Sequence, residues 1–89
     1  MAKIRVERPS PKDLERRGVY QWPLWEKETS SFDWSYDAEE KCYFLKGDVT
    51  VEAGGEKIRI KEGDFVTFPK GLRCRWNITR PVRKHYQLG

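Results

Sequence analysis

The sequence predicts a small all-β domain, an antiparallel sandwich or barrel, with one short helix near its start. Three observations predict it. From Phe32 onward apolar and polar residues alternate in short runs, the period of strands. Glycine and proline punctuate these runs at Gly47, Gly54-Gly55, Gly63, Pro69, Gly71 and Pro81. Helix signals cluster in one place, between Ser10 and Gly18.

In order along the chain, Lys3–Glu7 alternates polar and apolar, as a half-buried edge strand does. Ser10 and Pro11 open a helix as N-cap and first helical residue; it runs to about Arg17 and Gly18 ends it. Val19–Trp25 is aromatic, and Pro23 argues against a central strand there, so it is expected to lie extended across one sheet face. Residues 1–31 thus form a strand, a helix and an aromatic cover, and residues 32–86 form the body of one domain spanning 1–89. The body reads as strands Asp33–Tyr36, Glu40–Lys46, Val49–Ala53, Lys57–Ile60, Phe65–Phe68, Leu72–Ile78 and Val82–Tyr86. Turns are expected at Asp37–Glu39, Gly47-Asp48, Gly54-Gly55, Glu62–Asp64 and Pro69–Gly71, the paired glycines permitting the positive φ angles of a tight hairpin. Pro81 separates the last two strands.

Composition narrows the function classes. With 89 residues the core must be compact, and 13% aromatic residues compensate for a hydrophobic share of 37%. No apolar run approaches bilayer length, and Met1–Val6 lacks the apolar stretch of a signal peptide, so a cytoplasmic protein without membrane contact is expected. Cys42 and Cys74 stand far apart without CxxC spacing; two buried free thiols are the default. The net charge of +4 is mild and interspersed, whereas nucleic-acid binders cluster theirs, which makes nucleic acid an unlikely partner. Charged residues at 36%, with a single Asn and two Gln, match a thermophile's composition.

Residues two apart on a strand share a face. Trp34 pairs with Tyr36 in this way, Glu40 with Cys42 and Phe44, and Leu72 with Cys74 and Trp76. Val49 and Val51 should face Ile58 and Ile60 as plain core packing.

The spacing carries a further resemblance. Gly63, five residues, Pro69, one residue, Gly71, two residues and Cys74 resembles the second cupin motif, with Cys74 at the histidine position. Trp34, Tyr36, Glu40 and Gly47 fall on the first motif, with Trp34 and Tyr36 where its two histidines stand. With Trp25–Glu28, Phe32–Trp34 and Arg83–Tyr86, the chain is similar to small single-domain cupins of the ureidoglycine-aminohydrolase type, most of all the short uncharacterised members from hyperthermophilic bacteria. The resemblance spans roughly Gln21 to Tyr86 and implies a cupin barrel, a double-stranded β-helix or jelly roll. It implies a cavity lined by Trp34, Tyr36, Glu40, Cys42, Phe44, Cys74 and Trp76, with Lys41, Arg73 and Arg75 outside. Relatives include a longer manganese-dependent ureidoglycine aminohydrolase and a cupin associated with ethanolamine utilisation. Of the family's metal ligands only Glu40 carries over. An indole N–H is a donor only, and manganese favours carboxylate and imidazole over thiol, so manganese aminohydrolase chemistry is not expected.

One carboxylate among rings needs a partner, a place near the mouth or a raised pKa. Glu40 is thus a candidate acid/base, or a structural residue bonded to the Tyr36 hydroxyl. Tyr36 and Cys74 are candidate catalytic contacts; Trp34, Cys42, Phe44, Trp76 and Lys84 are candidate ligand contacts. Cys74 reads as a nucleophile or soft-metal ligand, or as a buried filler; His85 is the one candidate base for it. A Cys42–Cys74 disulfide, or a divalent-metal site on Glu40, Cys74 and Cys42, stays open. Lys84 and Arg83 either bring positive charge to the mouth or form a solvated face. Three readings follow: a small-molecule enzyme, a metal-free binding or sensing module, and single-stranded nucleic-acid binding by Arg73–Trp76. A monomer or a homodimer is compatible with the charged first strand.

Overall fold

The computed structural model describes residues 3–89; Met1 and Ala2, part of the segment read for a leader, lie outside them. The chain is mostly β, and every strand pairing is antiparallel. In order come β1 (Arg5–Glu7), α1 (Pro11–Arg16), a 3-10 turn (Val19–Gln21), β2 (Leu24–Lys27), β3 (Ser30–Ser35), β4 (Glu40–Ala53), β5 (Glu56–Lys61), β6 (Phe65–Phe68) and β7 (Arg73–Leu88).

Two long strands form the spine. β4 and β7 pair along their length, from Glu40↔Leu88 to Glu52↔Arg75. The first half of β4 carries β6 and then β1, and the second half of β7 carries β2. At the other end, β5 flanks the second half of β4 and β3 flanks the first half of β7.

Each long strand was expected to be two. Gly47-Asp48 does not turn the chain; the ladder shifts register between Phe44 and Val49 and continues. Pro81 likewise sits inside β7, where pairing steps from Asp48↔Arg80 to Lys46↔Arg83 and passes over the proline. A residue without an N–H is tolerated at such a bulge. Gly47 is required there. It holds φ 119°, and a β-carbon would meet the Val82 α-carbon at 2.8 Å and the Pro81 carbonyl oxygen at 2.9 Å. Gly47→Ala is therefore expected to cost about 2–3 kcal/mol. In urea unfolding this appears as a lower midpoint with an unchanged slope.

The N-terminal part covers the outer face. Ser10 caps α1, its Oγ accepting from the Asp13 amide at 3.2 Å. Leu14, Val19 and Phe65 form a small outer core with Trp22 and Tyr43 packed against it. This covering is why all four residues of β6 are buried. The aromatic segment is not a single extended cover: its first part coils as the 3-10 turn, and Leu24–Lys27 joins β7 as an edge strand just after Pro23. β1 is an edge strand as expected, but all three of its residues are exposed.

The Gly63-Asp64 part of the motif is structural. The Phe44 amide donates to the Asp64 carbonyl, and the Gly63 amide to the Phe44 carbonyl. The Asp64 carboxylate accepts from the Lys61 amide and from Arg8 Nε, each at 2.9 Å. The main core lies on the inner faces. Val49 pairs with Ile60 and Val51 with Ile58, as the alternation predicted. Trp76, from the first half of β7, packs on Phe44 and Phe68 of the opposite half with ring centroids 6.2 and 5.8 Å away.

Candidate functional site

At the end of the inner core that carries Trp76, the face opens into a cavity of about 330 Å³. Trp25, Phe32 and Trp76 wall it, Glu40 and Lys84 line it, and Trp34 and Leu88 stand at its mouth, 49% and 60% exposed. The strand period places these side chains. Ile78, Val82, Lys84 and Tyr86 are two or four apart on β7, so the inward face of Trp76 continues past Pro81 to Lys84.

Lys84 is the centre of the site. It is 4% exposed, and its Nζ donates to Glu40 Oε2 at 2.8 Å and to Cys42 Sγ at 3.2 Å. The Cys42 thiol donates to the same carboxylate oxygen at 3.0 Å. The ammonium also lies 4.8 Å from the ring centroids of both Trp25 and Trp76 and 5.8 Å from that of Phe44. Burying an ammonium and a carboxylate is costly unless each meets the other and further polar or π contacts. Glu40 thus has the partner it needed, and the partner is Lys84 rather than Tyr36.

Neither alternative for Lys84 holds: it is neither at the mouth nor on a solvated face. Arg83, next to it, does point outward, its Nε 3.4 Å from Glu26. In the sequence Pro81 looks like a strand break, yet the alternation of β7 runs across it.

The other candidates separate into three positions. Trp76 is a wall, and Trp34 is at the mouth rather than inside. Cys42 and Phe44 are fully buried beneath the cavity and do not line it; Cys42 reaches it only through its bonds to Lys84 and Glu40. Cys74 is off the lining, buried in the main core beside its strand partner Trp34. Both cysteines are free, so the disulfide does not form. His85 faces the opposite side of β7. Its Nδ1 lies 2.9 Å from the Trp22 carbonyl oxygen, and its ring meets Tyr20, so it serves no group in the cavity. Tyr36 lines the cavity and stacks on Phe68 at 4.8 Å, but its hydroxyl and the Trp76 indole N–H have no hydrogen-bond partner among the described residues.

Burial sets the protonation of these groups. It pushes the Cys42 thiol far up, against the pull of Lys84 and with help from Glu40. It pushes the Tyr36 phenol far up too, reinforced by Cys42 and Glu40. Cys74 is raised chiefly by burial as well. All three are neutral at neutral pH, which disfavours a thiolate nucleophile. For acids whose folded pKa is raised, the stability is complete below the unfolded pKa and is lost as pH climbs above it. Melting temperature is therefore expected to fall as pH rises from 9 to 11, past the ordinary thiol and phenol values of 9.0 and 10.0. Cys42→Ala should flatten the first part of that decline, by up to about 1.4 kcal/mol per pH unit. Thermal melts across this range check it.

The divalent metal that the cupin resemblance implies does not fit these residues. Histidine positions hold Trp34, Tyr36 and Cys74, and among the described residues no three of His, Cys, Asp and Glu gather as a ligand set. The one carboxylate is already bonded to an ammonium and to a thiol that burial keeps protonated.

Comparison with known proteins gives this geometry a family. The structure is similar to that of a DUF861 family protein from Thermotoga maritima, with 53% identity over 98% of this chain and 100% of that one and a TM-score of 0.96. A putative ethanolamine utilization protein Q from Salmonella typhimurium matches at 26% identity and TM-score 0.67, over 73% of this chain and 53% of its own. The EutQ protein of Clostridium difficile shares the fold at 23% identity and TM-score 0.67, over 73% of this chain and 52% of its own. The chain therefore spans about half the length of these two EutQ proteins. A search of curated proteins finds no match. No helix among the described residues is long and apolar enough to cross a membrane. Residues 14–86 match the EutQ-like cupin domain, and the chain belongs to that cupin family.

Proposed function

We propose that the protein binds a small, flat, polar metabolite in the aromatic cavity, with Glu40 as its polar anchor. The observation that carries this reading is the half-used carboxylate. Glu40 Oε2 accepts from both Lys84 and Cys42, while no group among the described residues donates to Oε1. A ligand with an N–H or O–H supplies that donor, and Trp25, Phe32 and Trp76 offer rings on which a flat body can stack. Turnover, with Glu40 as acid/base, is the stronger form of the proposal. Binding without turnover is favoured by the Lys84 bond, which holds the carboxylate in one place.

The aminohydrolase reading is weaker, since its metal has no ligand set here. Nucleic-acid binding is weaker still: Arg73 and Arg75 point outward while Trp76, the ring that follows them, is 2% exposed. A jelly-roll barrel is the architecture that goes with the proposal, supported by the packing of Trp76 across the two sheet halves. The two free thiols support a reducing compartment.

The test is a ligand-observed NMR screen of small polar metabolites on the wild type and on Glu40→Gln. Ligands that perturb cavity tryptophans are expected to bind the variant about tenfold or more weaker, the worth of a hydrogen bond to a charged acceptor. Hits that bind both proteins equally would sink the reading. Disappearance of a hit's own signals over time separates turnover from binding.

A further inference from the structure

We infer that the Lys84 ammonium takes the place of a metal ion in this cavity: the protein carries its cation on the chain. Such a centre needs positive charge held by a carboxylate inside a ring of protein groups. Lys84 Nζ has those neighbours, with Glu40 Oε2 at 2.8 Å, Cys42 Sγ at 3.2 Å and two indole faces at 4.8 Å. It is held from β7, while both polar partners come from the first half of β4. The pair is formally neutral, so a divalent ion entering the cavity would meet Lys84 repulsion and a carboxylate whose charge Lys84 already balances. The indoles add to the preference, because the tethered ammonium has already shed its hydration on folding and gains from their faces, whereas an entering ion would still have to shed its own.

The same geometry says what releases the site. A histidine at position 84 would present a ring nitrogen beside Glu40 and Cys42, giving one imidazole, one carboxylate and one thiol. That is a donor set suited to zinc or cobalt, with one position left open. A metal–nitrogen bond of about 2.0–2.1 Å added to an imidazole spans about the reach of the lysine stem, so the metal would sit near the former Nζ position. Binding would convert the Cys42 thiol to a metal thiolate and release its one proton to solvent. The inference does not depend on which metabolite the cavity takes, and its failure would leave the ligand screen standing.

The test is titration of Co²⁺ into the wild type, Lys84→His and the double variant Lys84→His/Cys42→Ala, following thiolate-to-cobalt charge-transfer absorption. Lys84→His is expected to take one equivalent and gain the band, and the wild type and the double variant to show none. A wild type that gains the same band, or a folded Lys84→His that gains none, overturns the inference. Should Lys84→His fail to fold, the wild type decides alone. In a ¹⁵N-labelled sample, a slowly exchanging lysine ammonium signal with contacts to the Trp25 and Trp76 rings is expected, unchanged by equimolar Zn²⁺. Absence of that signal, or its loss when Zn²⁺ is added, overturns the inference.

Discussion

Replacing Lys84 by methionine is expected to lower the stability of the fold by about 3–5 kcal/mol, although the stem is almost unchanged in size. The loss comes from Glu40, whose side chain is 10% exposed and would stay desolvated without its counter-ion. For a chain of this length the melting temperature should drop by roughly 15–30 °C. The double variant Glu40→Leu/Lys84→Met removes both charges and should recover most of the loss, since apolar replacement of a buried ion pair is often neutral. Denaturant unfolding of the two single variants and the double closes a thermodynamic cycle. A Lys84→Met cost below about 1 kcal/mol, the range of exposed pairs, would mean that the carboxylate is hydrated rather than desolvated.

Trp76→Ala is the second large effect, expected at about 3–5 kcal/mol. Trp76 is 2% exposed, stacks on Phe32 at 5.9 Å and touches Trp25, Phe44 and Phe68, so its loss opens a void shared by both halves of the sheet. Trp76→Phe should cost far less, about 1–2 kcal/mol, because a ring remains and the unpaired indole N–H disappears with the substitution. Urea midpoints compare the two. Equal costs would show that the wall depends on the indole itself rather than on filled volume.

The pattern of residues made the strands and their faces legible wherever alternation was uninterrupted. Phe65–Phe68 has the expected bounds, and Ser10 caps the helix it was assigned. The cupin spacing also located Glu40 and Trp76 on one inner face, because glycines and prolines at fixed offsets reflect turns that the backbone must make. What stayed hidden depended on long-range partners. Nothing near Lys84 in the chain announces a buried ammonium; its counter-ion is 44 residues away, and the intervening proline looked like a strand end. Arg8 was invisible as a partner of Asp64 for the same reason, 56 residues apart. Cys74 was misplaced relative to the cavity because alternation fixes which face a side chain takes, not how far along that face an opening lies.

The shared spine has a consequence for how this chain is made. β2, β3 and one whole side of β4 find their partner in β7, which is made after all of them. Until Arg73–Leu88 emerges, the earlier strands have open edges and Glu40 has no counter-ion. Ahead of it only the β4–β5 hairpin, the β4–β6 contact and the distant β1–β6 pairing can form. Non-local pairing of this kind is slow, and unpaired edges invite association between chains. The nascent protein is therefore most vulnerable before Arg73–Leu88 clears the ribosome, and holding chaperones should engage a ribosome-stalled chain ending before Arg73 far more than a released one that includes β7.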